Sequence, residues 1–195
     1  DKKIYALRDV TATVDSIPLI ASSIMSKKLA TGNSCILLDV KCGSGAFMKD
    51  KESAKALADT MVKIGKNAGR NCAALITDMT KPLGRAIGNS LEVIEAAEAL
   101  KGKEKGEFFD LCIELSANML SLAGKGTPSD CAVMAKEAVE SGKAFAKFKE
   151  MISAQGGNPE TVEDYKLFKQ PKFIHEVYAD KSGVVTCNDC EAIGL

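Results

Sequence analysis

SCILLDVKCGSGAFMKDKESAKALADTMVKIGKNAGRNCAALIT, residues 34–77, decides the fold class. Its opening, SCILLDV (34–40), is a short apolar run rich in Ile, Leu and Val, the pattern of a strand buried in a parallel sheet. A glycine-rich turn, Lys41 to Gly45, follows. From Glu52 to Ala68 the apolar residues recur at helical spacing: Ala54, Leu57, Ala58, Met61, Val62 and Ile64 share one face, and the pattern stops near Gly69. NCAALIT (71–77) is a second apolar strand. The loop DMTKPLGRAIG then leads to a helix, capped by Asn89, that runs to about Leu100. Strand, helix, strand, helix at this spacing is a βαβ pattern and predicts an α/β fold with a parallel sheet.

Outward from this core the chain is mostly helical. After Gly106, the spacing predicts helices over Phe108 to Ala123, Cys131 to Val139 and Ala144 to Ala154, punctuated by GKGTPSD and SGK. QGGNPE (155–160) is a breaker. From Lys172, FIHEVYADKSGVV alternates and reads as a strand, a turn at Asp180 to Gly183 and another strand. No internal repeat or low-complexity tract is visible. KGKEKGE (101–107) is mixed in sign and reads as a solvated turn.

On the N-terminal side, Ser16 to Leu29 reads as a helix: Ser16 is an N-cap candidate, Pro18 fits the first turn and Gly32 follows the end. On that helix Ser23 and Lys27 are i and i+4, so a hydroxyl stands beside an ammonium on one face. The upstream loop can bring Arg8, a planar fork of donors, to the same place. Two cations and a hydroxyl converging on a point suit a planar group carrying several carbonyl oxygens. Taken alone, Arg8 and Lys27 are ordinary surface cations, as Lys28 is.

The 195 residues suffice for one domain with a proper core, with a second fragment attached. Apolar content of 46% and charged content of 27% are ordinary for a globular protein. With 26 basic and 26 acidic residues and no dense basic block, nothing points to nucleic acid. No apolar run approaches the ~20 residues that span a bilayer, and no signal peptide is visible, although the first residue is not Met. The seven cysteines are read as reduced thiols in a cytoplasmic protein. Cys187 and Cys190 form a CxxC, but a zinc site would need two further ligands and the only histidine is His175. Two unrelated thiols near a turn, and a structural His175, are the simpler readings.

The segment YALRDVTATVDSIPLIASSIMSKK (5–28), with DVKCGSGAFMK (39–49), LITDMTKPLGRAIGNSLEVIEA (75–96) and VYADKSGVV (177–185), closely resembles the pyrimidine nucleoside phosphorylases, in the family's order. The resemblance covers almost the whole chain. It implies that residues 1–30 belong to a small α-helical domain, 31–168 to the large α/β domain and 169–195 to the start of a C-terminal α+β subdomain. It further implies that the chain is an internal piece: the glycine-rich phosphate-binding segment lies upstream of it, and most of the C-terminal domain lies beyond it.

The activity implied is phosphorolysis of uridine, thymidine and deoxyuridine to free base and (deoxy)ribose 1-phosphate. Strict thymidine phosphorylase, and a non-catalytic fragment, are the alternatives; a phosphoribosyltransferase of similar fold ranks low because no pyrophosphate-binding motif is visible. The resemblance assigns Arg8 and Lys27 to catalysis and Arg8, Ser23 and Lys27 to the base, with Tyr5, Val14, Ile20 and Phe47 lining its pocket. Those last four would otherwise be core residues. It assigns the carbonyls of Leu83 and Ala86 and the carboxylate of Glu95 to a potassium ion, with Glu92 the rival acid. No organic cofactor is implied; phosphate is the co-substrate, and a homodimer forms through the small domain.

Overall fold

The structure is a computed structural model describing Lys3, Ala6, Leu7, Val10, Thr11 and residues 13–194, with Glu191 described by its backbone alone. Arg8 and Tyr5 lie outside the described residues.

Two strands, β1 (Cys35–Cys42) and β2 (Asn71–Asp78), pair in parallel from Cys35↔Asn71 to Cys42↔Asp78. Between them runs α2 (Lys51–Asn67). This is the expected βαβ unit, and the chain is α/β.

The preceding helix, α1 (Ile17–Ala30), carries Ser16 at the N-cap position, Pro18 in its first turn and Lys27 and Lys28 in its last. The hydroxyl of Ser16 makes no cap hydrogen bond, so the proline and packing define this end. Helix α2 begins instead on a bonded cap: Asp50 accepts from the Ser53 N–H at 2.8 Å and from its hydroxyl at 2.9 Å. Those bonds hold the Asp50 carboxyl below its ordinary pKa.

One face of β1 makes the core. Ile36, Leu38, Val40 and Cys42 pack on Ile20, Ala21 and Met25 of α1 and on Ala54, Leu57, Ala58 and Met61 of α2. The alternate residues of β1 turn to the opposite face, against α4 (Glu107–Leu122). The Leu122 carbonyl, at the end of α4, accepts from Asn71 Nδ2 at 2.8 Å and from Cys35 Sγ. Helices thus cover both faces, as parallel sheets require.

Three further helices complete the body: α3 (Asn89–Leu100), α5 (Pro128–Glu140) and α6 (Lys143–Ala154). Helix α5 starts three residues earlier than its apolar spacing predicts. Thr127 and Asp130 form a capping box around Pro128, which adds a first turn to a sequence that reads as a breaker. After the predicted break, Pro159–Val162 and Tyr165–Leu167 form two 3-10 turns. Lys101 anchors them: its Nζ donates to the Val162 carbonyl at 2.7 Å, to the Tyr165 hydroxyl at 2.9 Å and to Glu98 at 3.2 Å. It also stands over the rings of Phe145 and Tyr165.

Two expectations are corrected. Asn89 does not cap α3; it is the first helical residue, and Gly88 stands at the N-cap with φ 123°. That backbone conformation favours glycine, and Glu92 reaches back to accept the Gly88 N–H at 3.0 Å. The strand pair expected from Lys172 onward does not form. No residue of 172–185 is in a strand, and Phe173 is 89% exposed. An alternating hairpin is marginal unless its apolar face meets a third element, and among the described residues none packs there. A short helix, α7 (Cys190–Gly194), ends the described chain.

Candidate active site

Three groups of predicted residues fall in three places. On α1, Ser23 and Lys27 come together as the i, i+4 spacing requires, with Lys27 Nζ donating to Ser23 Oγ at 3.4 Å. Lys27 is exposed and Ser23 half-buried, so the ammonium and hydroxyl face outward from one turn of helix. Arg8, the expected third member, and Tyr5 lie outside the described residues. Val14 is half-buried in the segment before α1. Ile20 is buried in the core against β1 and α2.

The second group is the turn after β1. Gly43 N–H donates to the Met48 carbonyl, Gly45 N–H to the Met79 carbonyl, and Lys49 Nζ to the Ser44 carbonyl at 2.8 Å. Phe47 projects from this turn, 66% exposed. The turn lies at the carboxyl end of a parallel strand, where open α/β sheets place ligands.

The third group surrounds a cavity of about 500 Å³, also at the carboxyl ends of the strands. Leu83, Ala86, Glu92, Glu95 and Lys41 line it, with α7 on its rim. Glu95, on α3, closes the loop 83–86 on itself: its Oε1 accepts the Arg85 N–H at 2.7 Å and the Ala86 N–H at 3.3 Å. Its Oε2 lies so close to Gly84 that a Cβ added there would stand 2.0 Å from it. Glu95, rather than Glu92, is therefore the carboxylate that holds this loop. Leu83, Ala86 and Glu95 do share one cavity, and Oε2 is the carboxylate oxygen left after the two amides. Hard oxygen donors of this kind suit a monovalent cation. Among the described residues, no group of three or more His, Cys, Asp or Glu could hold a metal ion.

Lys41 is a site residue that the sequence reading passed over. It pairs with Asp39 at 2.8 Å and donates to Thr77 Oγ1 at 3.0 Å, across the register pair Lys41↔Thr77. The trio sits on the sheet face toward α4, where burial pushes the Cys112 thiol up despite the nearby Lys41. The available signal was an Asp-x-Lys step inside an apolar strand: two charges on one face of a buried sheet pair with one another. Nearby, Asp78 is held low by the Thr80 N–H and hydroxyl, and Lys81 is held high by its bond to Glu107. All seven cysteines, including Cys187 and Cys190, are free thiols. No helix among the described residues is long and apolar enough to cross a membrane.

Residues 1–145 match the glycosyl transferase family, a/b domain. The chain is 51% identical, over all its 195 residues, to the pyrimidine-nucleoside phosphorylase of Geobacillus stearothermophilus, of which it covers 45%. It is 53% identical over 187 residues, 95% of the chain, to the pyrimidine-nucleoside phosphorylase of Staphylococcus aureus strain bovine RF122 / ET3-1, covering 43% of that protein. The chain thus spans less than half the length of the curated relatives it matches. By its a/b domain the chain belongs to this glycosyl transferase family, in the company of the pyrimidine-nucleoside phosphorylases.

Proposed function

We propose that the protein to which this chain contributes splits pyrimidine nucleosides with phosphate, giving the free base and a pentose 1-phosphate, with uridine, thymidine and deoxyuridine as substrates. The observation that carries this reading is the Lys27 ammonium beside the Ser23 hydroxyl on one turn of α1, in a chain 51% identical to a pyrimidine-nucleoside phosphorylase.

In such a reaction the sugar carbon gains positive character while the departing base gains negative charge over its ring nitrogen and carbonyl oxygens. Only contacts that strengthen as this charge develops accelerate the step. Lys27, with Arg8, supplies fixed positive charge to the base; Ser23 hydrogen-bonds the imide edge, whose donor lies between two acceptors. Cytosine presents a different edge and is disfavoured. Phe47 and Val14 offer apolar surface to a flat ring. A potassium ion would be held by Glu95 and the carbonyls of Leu83 and Ala86, and its contribution is to brace the loop rather than to act on substrate. The whole protein is read as a cytoplasmic homodimer. The isolated chain is read as having little or no turnover, since proximity of the phosphate nucleophile is lost without its binding elements.

The test is a chimera in which this chain replaces the matching region of the Geobacillus stearothermophilus relative. Uracil release from uridine, dependent on phosphate, is expected from the chimera and not from the chain alone. Lys27→Ala in the chimera should lower kcat/KM by about 100-fold or more, with Ser23→Ala weaker. A folded chimera that cleaves neither uridine nor thymidine, or one indifferent to Lys27→Ala, refutes the reading.

A further inference from the structure

We propose that Cys187 and Cys190 form a thiol–disulfide exchange site for a small organic disulfide, and that closing the bond between them lifts residues 188–190 off the glycine-rich turn that carries Phe47.

The two thiols differ in access. Cys187 is exposed and Cys190 half-buried, while Cys42, Cys72 and Cys131 are buried. Burial pushes the Cys72 and Cys112 thiols up, which lowers their share of reactive thiolate. An outer thiol that meets the reagent, with a shielded one three positions on, supplies the attacking and the resolving sulfur of an exchange site. The shielded thiol is seated on the turn after β1. Ser44 Oγ lies 3.8 Å from Cys190 Sγ and 3.4 Å from the carbonyls of Asn188 and Thr80, so one hydroxyl proton is shared among three acceptors. A Cβ added to Gly45 would stand 2.7 Å from Cys190 Cβ, so this glycine leaves the room that Cys190 occupies. Helix α7 continues from that seat, with Cys190 and Ile193 lining the cavity that Glu95 shares.

Seat and disulfide compete for Cys190. A disulfide needs its Cα atoms within about 7 Å of one another. A β-turn centred on Asn188 and Asp189, two residue types that favour turns, supplies that approach. With the thiols reduced, residues 187–189 form no turn. Asp189 instead caps α7, accepting the Ala192 N–H at 3.0 Å, and the Asn188 carbonyl lies against Ser44. Closing the bond therefore draws Cys190 toward Cys187 and breaks its contacts with Ser44 and Gly45.

Exchange runs in two steps. The Cys187 thiolate, its proton given to solvent, attacks one sulfur of the disulfide RSSR; that S–S bond breaks, a Cys187–SR mixed disulfide forms and RS⁻ leaves. The Cys190 thiolate, deprotonated in the same way, attacks the Cys187 sulfur, forms the Cys187–Cys190 bond and expels the second RS⁻. The two protons end on the released thiols, so two protein thiols are oxidised and RSSR is reduced to two RSH. An exposed disulfide is of the readily reduced kind, and excess RSH reverses the step.

Neither step depends on phosphorolysis, so the test reads thiols and amides rather than turnover. The reduced 195-residue chain is incubated with oxidised glutathione, quenched with acid, alkylated and mapped by peptide mass. The peptide holding Cys187 and Cys190 should lose two hydrogens about tenfold or more faster than any change at Cys35, Cys42, Cys72, Cys112 or Cys131, and dithiothreitol should restore it. Cys190→Ala should stop at glutathione bound to Cys187, and Cys187→Ser should slow reaction of the segment by about tenfold or more. In the oxidised chain the Gly45 amide, bonded to the Met79 carbonyl, should exchange about tenfold or more faster, with the Ala58 amide in the core of α2 unchanged. Glutathione held on both cysteines, a disulfide-linked dimer in place of the internal bond, or equal rates at all seven thiols overturns the exchange site. An internal disulfide that leaves Gly45 exchange unaltered overturns its coupling to the turn.

Discussion

Replacing Gly84 by alanine should act almost wholly through Glu95. The new Cβ would lie 2.0 Å from Oε2 and 2.6 Å from Cδ, distances no real pair adopts. The obstructing atoms are the end of a flexible side chain, so the carboxylate leaves rather than the loop backbone. What is lost are its bonds from the Arg85 and Ala86 N–H groups, at 2.7 and 3.3 Å. The first is short and charge-assisted, the second long, so together they are worth about 2 kcal/mol. For a chain of this size that is a fall in Tm of about 4–8 °C. Glu95→Ala removes the same two bonds and should cost a similar amount. The decisive variant is the double one. If eviction of Glu95 is the mechanism, Gly84→Ala in the Glu95→Ala background costs close to nothing, a coupling of about 2 kcal/mol in the cycle. Thermal unfolding of the four proteins, followed by circular dichroism at one pH and salt, gives the answer. Additive losses would refute the reasoning, because Gly84 would then be needed for its backbone and not for its room.

Met25 is fully buried between α1 and the sheet, so Met25→Ala should cost about 3 kcal/mol in chemical denaturation; a loss under about 1 kcal/mol would mean α1 is not docked as described. Lys101→Met leaves the Val162 carbonyl without this donor and takes one of several from Glu98; a loss of about 2 kcal/mol and faster proteolysis across residues 155–168 are expected, and unchanged cleavage would count against the anchor. The Tyr165 hydroxyl bond, opposed by burial and aided by Lys101 and Lys103, holds Glu98 below the ordinary 4.5. A carboxyl with a lowered folded pKa contributes stability that is whole above about 4.5 and is lost as pH falls through the folded value. Glu98→Gln should therefore flatten the acid side of a plot of Tm against pH, and an unaltered slope would show that the carboxylate is not ionised in this network.

Much of the fold was legible because it is local. Helix α2 falls within one residue of its apolar periodicity; β1 starts one residue later and ends two residues later than the run SCILLDV, and β2 ends one residue past NCAALIT. Helix starts were less legible. The Thr127 and Asp130 box was hidden in a stretch that reads as a loop, and Gly88 took the cap from Asn89 because the entering chain needs positive φ. Residues 172–185 mark the limit of the method. Alternation records that a strand could bury one face, not that anything is there to bury it against. The contact between Ser23 and Lys27 was readable from spacing alone, since helix geometry fixes their distance, whereas the role given to them comes from the family resemblance. The partnership of Lys41 with Thr77 depends on β1 and β2 lying in one register, which no local pattern specifies.

The anchoring of Lys101 has a mechanical meaning. Helix α3 has 12 residues, about 18 Å of stiff rod. One end enters through the loop that Glu95 gathers in, and just past the other end Lys101 is bolted to the 3-10 turns. A rod fixed at both ends transmits tilt. A disturbance at Val162 or Tyr165, well away from the loop, therefore arrives at residues 83–86 as a displacement, with α3 acting as a lever between them.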